Sequence, residues 1–298
     1  MAAIKEPRGD RVFGVINMIL VTFFFLIVFY PLYFVVIASF SDPDLVSTGQ
    51  ILLIPKGLNI QGYIRVFKER DVMIGYRNTI YYTFFGTLFN LFLTIPCAYA
   101  LSKKDLVGRN LLMGVFTFTM YFGGGMIPTY LLIRDLGLLD TWVTLIITSG
   151  VSCYNLIIAR TFFSSSVSAE LEEAAAIDGC SRTRAFISIV LPLSKALLGV
   201  LALYYGISHW NSWFSGMIYL EGRDKAPLQL ILRDILIENQ AVQMDDTGLG
   251  AEAEALRLKL ASLMKYCLIV VSSIPVLIIY PFLQKYFDKG VMLGSVKG

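Results

Sequence analysis

A chain of 298 residues that is 56% hydrophobic and only 16% charged has too little polar surface for a soluble domain. Its formal net charge of +3 gives no ground for nucleic-acid binding. One histidine and four scattered cysteines, Cys97, Cys153, Cys180 and Cys267, argue against a disulfide framework or a metal centre.

Runs of about 20 apolar residues, enough to cross a hydrocarbon core of ~30 Å, recur six times. They lie near 12–40, 78–102, 111–133, 141–163, 195–220 and 264–285. This pattern predicts an all-α integral membrane protein with six transmembrane helices. The first run is longer than a signal-peptide core and lacks a small-residue cleavage site, so it reads as a retained helix. An external stretch from Ser41 to Tyr76 follows, punctuated by Pro43, Pro55, Gly57 and Gly62, with a short amphipathic segment at 63–67. Asn78 and Thr79 then open a core. The chain thus divides into 1–77, with the tail, first span and external loop, and 78–298, with five spans joined mainly by short connections that favour antiparallel neighbours.

In the third span Gly123, Gly124 and Gly125, followed by Pro128, weaken the helix. Unwinding beside a cavity is one reading, and a kink or close packing on a neighbour is the other. The connection 164–194 is built as a docking element. Glu172 to Ile177 is rich in Ala and Glu and favours helix, Gly179 breaks it, and a second periodic run carries Phe186, Ile187 and Ile189 to Leu191 among Arg182, Arg184 and Ser188. Pro192 is expected to open the next span, where its missing N–H costs nothing. The prediction is helix, turn, helix at the membrane surface.

The fifth span contains SHWNSWF, which mixes the aromatic faces of Trp210 and Trp213 with the hydrogen-bonding groups of His209, Asn211 and Ser212. Sugars need both kinds of surface, so His209, Trp210, Asn211 and Trp213, with Tyr121 and Gly124 of the third span, are candidate pathway residues. The competing reading makes the tryptophans interfacial anchors and the histidine a hydrogen-bonded structural residue. In the external loop 221–262, KAPLQLILRDIL from Lys225 to Leu236 starts with Pro227 and sets apolar residues at helical spacing, with Arg233 and Asp234 on a polar side.

The total count of Lys and Arg does not orient the chain. Lys5, Arg8 and Arg11 before the first span and Lys103, Lys104 and Arg109 in the tight second connection, against Arg134 alone in the third, place the N terminus inside. Six spans then put both termini and the 172–192 segment in the cytosol.

The spacing filled by Glu173, Ala174, Ala175, Gly179, Ile189, Leu191 and Pro192 resembles the cytoplasmic EAA loop of ABC-importer permeases. Ala98 to Ser102 (AYALS) and Ile127 to Thr141 (IPTYLLIRDLGLLDT) resemble the carbohydrate branch of that family, the MalG-like subunits of LplC/YtcP type. The likeness covers about 78–298 well and the first span loosely. It implies a type I importer permease fold, with Glu172, Glu173, Ala174, Ala175, Asp178, Gly179 and Arg182 forming a coupling helix and turn that plug into an ATPase subunit. It also implies a C-terminal tail whose Gly294 and Lys297 reach that subunit, and an external loop whose Pro227, Gln229 and Arg233 meet a solute-binding protein. The implied partners are a second homologous permease, two ATP-binding subunits, an external binding protein, an oligosaccharide or polysaccharide fragment such as one of alginate, and lipid of a bacterial inner membrane.

No Gly-Lys dipeptide occurs, so no GxxxxGK[ST] phosphate loop is present, and ATP with its magnesium must sit on partner subunits. The interiors of the spans are read as free of Asp, Glu, Lys and Arg, which counts against proton or sodium coupling. Two other classes fare worse. An intramembrane hydrolase would need a G-x-S-x-G-like nucleophile that is missing, and an ATP-independent channel leaves the cytosolic docking loop without a purpose. An acidic sugar would need basic groups supplied by partners.

Overall fold

The computed structural model describes residues 8–244 and 264–281, and among these every regular element is helical. In chain order the helices are α1 Arg8–Ser39, α2 Pro43–Ser47, α3 Gln61–Lys68, α4 Arg70–Ser102 and α5 Arg109–Tyr121. Next come α6 Met126–Asp135, α7 Thr144–Ile147, α8 Cys153–Ser166, α9 Ala169–Ile177 and α10 Arg182–Ala185. After a π-helical turn, Phe186–Val190, follow α11 Leu191–Leu193, α12 Lys195–Trp210, α13 Trp213–Tyr219, α14 Leu228–Met244 and α15 Met264–Pro281.

The described residues form two compact units, 8–69 with 236–244 and 264–273, and 70–235 with 274–281. In the first, α1 presents a bare apolar surface along most of its length. Its C-terminal end is tied down: the Ser39 and Tyr63 hydroxyls lie 2.7 Å apart, Cys267 Sγ donates to Ser39 O at 3.4 Å, and the rings of Phe34 and Tyr266 meet edge to face. Burial and its apolar surroundings push the Tyr63 phenol up from its ordinary pKa.

In the second unit α4 is the hub, packed against α8 and α12. Ile95, Ala98 and Leu101 of α4 meet Leu156, Ala159 and Phe163 of α8 and Leu197, Leu201 and Tyr205 of α12. Three described helices, Gly9–Ser39, Arg70–Ser102 and Met264–Pro281, are long and apolar enough to cross a membrane, and the count reaches five if each of two bent pairs is one span.

Several expected spans are interrupted. Residues 111–133 do not form one helix: the backbone unwinds at 122–125, with Gly125 at φ 88°, and α5 and α6 are bent by 113°. A Cβ on Gly123, Gly124 or Gly125 would meet nothing but that segment itself, so close packing within this chain is not why these glycines are there. The run 141–163 is split between α7 and α8, with residues 148–152 outside any helix. The run 195–220 breaks at Asn211 and Ser212, between α12 and α13. Pro192 does not open the fifth span. It lies in α11 just after the π-helical turn, and α12 begins beyond Ser194 at a bend of 80°. The core helix starts at Arg70, not Asn78. Arg160 corrects the charge-free reading of the spans: it lies midway along α8, where its Nε donates to Leu101 O at 3.1 Å and satisfies a carbonyl in the last turn of α4.

Candidate functional site

The EAA-like segment folds as helix, turn, helix for local reasons. Ser168 caps α9 by accepting from Leu171 N at 3.3 Å, and Ser181 caps α10 by accepting from Arg184 N at 3.3 Å. Between them Gly179 takes φ 75°, a left-handed conformation that a side chain would strain. The two faces of α9 differ. Ala175 is buried, and Glu172 turns inward, where its Oε1 accepts from Tyr99 Oη at 2.7 Å and pairs with Lys103 Nζ. Glu173, Ala174, Asp178 and Gly179 are exposed, and Ile177 is 86% exposed at the end of the helix.

The expected coupling set therefore divides. Glu172 and Ala175 serve attachment to this chain, so a direct ATPase contact through them is not what their positions provide. Arg182 pairs with Asp105 at 3.0 Å on the surface, a contact worth about 1 kcal/mol or less. Ile177, Tyr99 and Lys103 escaped the sequence reading. An apolar residue closing an otherwise polar loop helix was the available signal for Ile177. Gly294 and Lys297 lie outside the described residues.

Midway along α4, Asn90 joins three elements. Its Nδ2 donates to Gly150 O at 2.9 Å and also to Ser149 O, so Oδ1 is left to accept. His209 Nε2 lies 2.7 Å from that oxygen and must be the donor. His209 is thus a buried structural link between α12, α4 and the 148–152 break. Its ring lies so close to Gly86 that a Cβ there would sit 2.4 Å away. Next to it, the Thr94 and Tyr205 hydroxyls are 2.6 Å apart, and Ser152 N donates to Tyr205 Oη at 3.1 Å.

Near its N-terminal end, α4 side chains take the backbone of 224–228 almost group by group. Asn78 Nδ2 donates to Asp224 O at 2.8 Å and Ala226 O at 2.9 Å, and Tyr82 Oη donates to Lys225 O at 2.9 Å. Leu228 N, at the start of α14, donates to Thr79 Oγ1 at 2.7 Å. Pro227 has no N–H to satisfy and packs on Gly216, where a Cβ would meet its ring at 2.8 Å. Lys225 Nζ reaches Asp140 Oδ2 at 2.6 Å, which holds the Asp140 carboxyl below its usual pKa and raises that of Lys225.

This arrangement corrects the expected probe. Pro227, Leu228, Leu230, Ile231 and Leu232 are buried, so Pro227 is not free to meet a binding protein, while Gln229 is partly exposed. Arg233 is half-exposed, and its guanidinium lies 5.1 Å from the ring centroid of Trp213. Among the other pathway candidates, Trp210 is buried against Tyr76, and Asn211 donates to Ile207 O at 2.9 Å in the break after α12. Tyr121 and Gly124 are exposed on the broken third span. Trp210 also lines an apolar cavity of about 370 Å³ with Thr83, Thr87 and Gly206.

A family model described as "Binding-protein-dependent transport system inner membrane component" matches residues 72–216, from α4 to α13. The polygalacturonan/rhamnogalacturonan transport system permease protein YtcP of Bacillus subtilis is 38% identical over 97% of this chain and 99% of its own length. Protein LplC of Bacillus subtilis is 38% identical over 98% of this chain and 97% of its own. A crystal structure of a bacterial ABC transporter involved in the import of the acidic polysaccharide alginate contains a chain that superposes with a TM-score of 0.86 at 35% identity, covering 96% of this chain and all of that one. Helical architecture, family match and near full-length likeness agree, and the chain belongs to the carbohydrate ABC-importer permeases, as a membrane-embedded transport subunit.

Proposed function

We propose that this subunit works by alternating access in an ATP-driven importer, with both termini in the cytosol, and that the 172–192 segment receives the ATPase stroke. The observation that carries this reading is the division of α9. Its inner face is bonded to α4, while Glu173, Ala174 and Ile177 are left open next to a glycine turn, as a surface that inserts into a partner's cleft requires. ATP and magnesium sit on two partner ATPase subunits, a second permease completes the path, and an external protein delivers the sugar. Exchanging Glu173→Lys in the assembled importer should abolish co-purification of the ATPase or reduce coupled uptake by about 100-fold. Unchanged assembly and uptake would remove the coupling role.

We further propose that the cargo is a fragment of an acidic polysaccharide. The likeness to YtcP and to a chain of the alginate importer supports this, as does the Arg233 guanidinium over Trp213, paired with Asp234 only at a long 3.4 Å, which places a cation beside a flat ring suited to a sugar carboxylate and its C–H face. Trp213→Ala should lower uptake of oligogalacturonate by about tenfold with assembly intact. Normal uptake by that variant would make Trp213 an interfacial anchor.

A further inference from the structure

The AYALS motif at Ala98 to Ser102 ends α4 beside the coupling segment, and its tyrosine has more partners there than a membrane-boundary anchor needs. The Tyr99 hydroxyl donates to Glu172 on α9 at 2.7 Å. Its ring packs 4.7 Å from that of Phe186 in the π-helical turn, and 5.6 Å from Phe163 of α8. Lys103, one turn further along, pairs with the same Glu172 oxygen and lies 4.3 Å from the Tyr99 ring centroid. One residue thus touches both arms of the helix-turn-helix, and the second neutralises the carboxylate that the first orients.

We propose that Tyr99 and Lys103 are positioning residues that fix both arms of the coupling segment to α4, so that pushing the segment moves α4 with it. This rests on the reading of 172–192 as the ATPase-docking element. Three features of the site support it. Glu172 has its Oε1 occupied within the chain, which leaves Glu173 and Ile177 as the outward contacts. The pair is about a quarter exposed (24% and 25%) and its carboxylate is shared with the Tyr99 hydroxyl, so three groups rather than two hold the contact in place. Finally, α4 runs for 33 residues, about 50 Å, to the external clamp on 224–228, so a displacement at Tyr99 has a continuous helix to travel through. Pro96 lies between the latch and the Asn90 network and removes one ladder hydrogen bond there, a place where α4 can flex.

The test needs no knowledge of the sugar. A fluorophore is placed on α4 at the exposed position 92, as Phe92→Cys with the native cysteines replaced, in the assembled importer, and its response to ATP plus vanadate is recorded. The unmutated latch should give a spectral shift. Lys103→Met should keep the ATPase bound and cut the shift by about tenfold. The charge exchange Lys103→Glu with Glu172→Lys should recover about half of it, and Tyr99→Phe, which keeps the ring contacts, should fall between. No shift with the intact latch, a full shift in Lys103→Met, or an exchange no better than Glu172→Lys alone each overturns the proposal. The exchange carries the test if either single variant fails to assemble, and its failure to assemble also counts against the latch. Unchanged ATPase retention together with unchanged coupled uptake in Glu173→Lys would instead sink the docking reading, so the two failures are distinguishable.

Discussion

The two ends of α4 are fastened differently. At the N-terminal end, neutral and fully buried side chains, Asn78, Thr79 and Tyr82, bond to backbone groups of 224–228, with an Asp71–Arg223 ion pair at 2.9 Å on the exposed rim. At the C-terminal end, a partly exposed carboxylate and ammonium meet side chain to side chain, with a tyrosine between. A dry clamp on backbone groups has no alternative partner once broken, because each stranded carbonyl keeps its desolvation cost. An ionic latch in contact with water can exchange partners cheaply. The N-terminal end is thus built as fixed scaffold, whereas the C-terminal end is held by a contact that charge and salt can tune, as a load-transmitting latch of the kind proposed above requires.

The sharpest way to break this contrast is Asn78→Asp, which keeps the shape but turns a donor to two carbonyls into an acceptor. It should destabilise the subunit by about 3 kcal/mol or more, read as lost yield and a lowered melting temperature of the purified importer. Glu172→Gln, the matching change at the latch, should cost about 1 kcal/mol or less. Equal losses would erase the distinction. Between the two ends, Gly86→Ala forces a methyl into the His209 ring and should cost about 2 kcal/mol in the same melting assay.

Salt separates the ends further. Raising ionic strength from about 0.1 to 1 M shortens the screening length from ~10 to ~3 Å, so proteolysis at the 178–181 turn should speed up while the neutral, buried contacts of 226–228 keep their protection. The smallest effect concerns the ion pair that braces the clamp. Asp140 has a depressed pKa in the folded protein, so its stabilisation is present above the ordinary aspartate pKa of about 4 and is lost as pH falls through the lower folded value. Acidification into that range should loosen 221–225 slightly, and Asp140→Asn should remove the dependence, both seen by hydrogen exchange of that loop.

Much of the coupling segment could be read from the sequence, because its signals are local: an Ala- and Glu-rich run, a glycine turn and two serine caps. Its attachment could not, since Tyr99 and Lys103 lie 73 and 69 residues from Glu172. Asn78 and Thr79 stood out as the opening of the core, yet their partners lie 146–149 residues away, so position alone hid their purpose. The third-span break was written in three glycines and a proline. The break at 148–152 carried a weaker mark, the run TSGVS, and the carbonyls it frees at Ser149 and Gly150 are taken by Asn90, which sequence reading had no means to assign. The KAPLQLILRDIL segment has helical periodicity, but tertiary packing buries consecutive residues on all sides of its first turns.

The central claim is that the exposed side of α9 meets an ATPase subunit while its inner side stays on α4. A photo-reactive amino acid at position 177 of the assembled importer checks this, with the exposed position 54, in the loop after α2, as control. A covalent adduct with the ATPase subunit is expected from position 177 and none from position 54. No ATPase adduct at 177, or equal adducts from both positions, would contradict it.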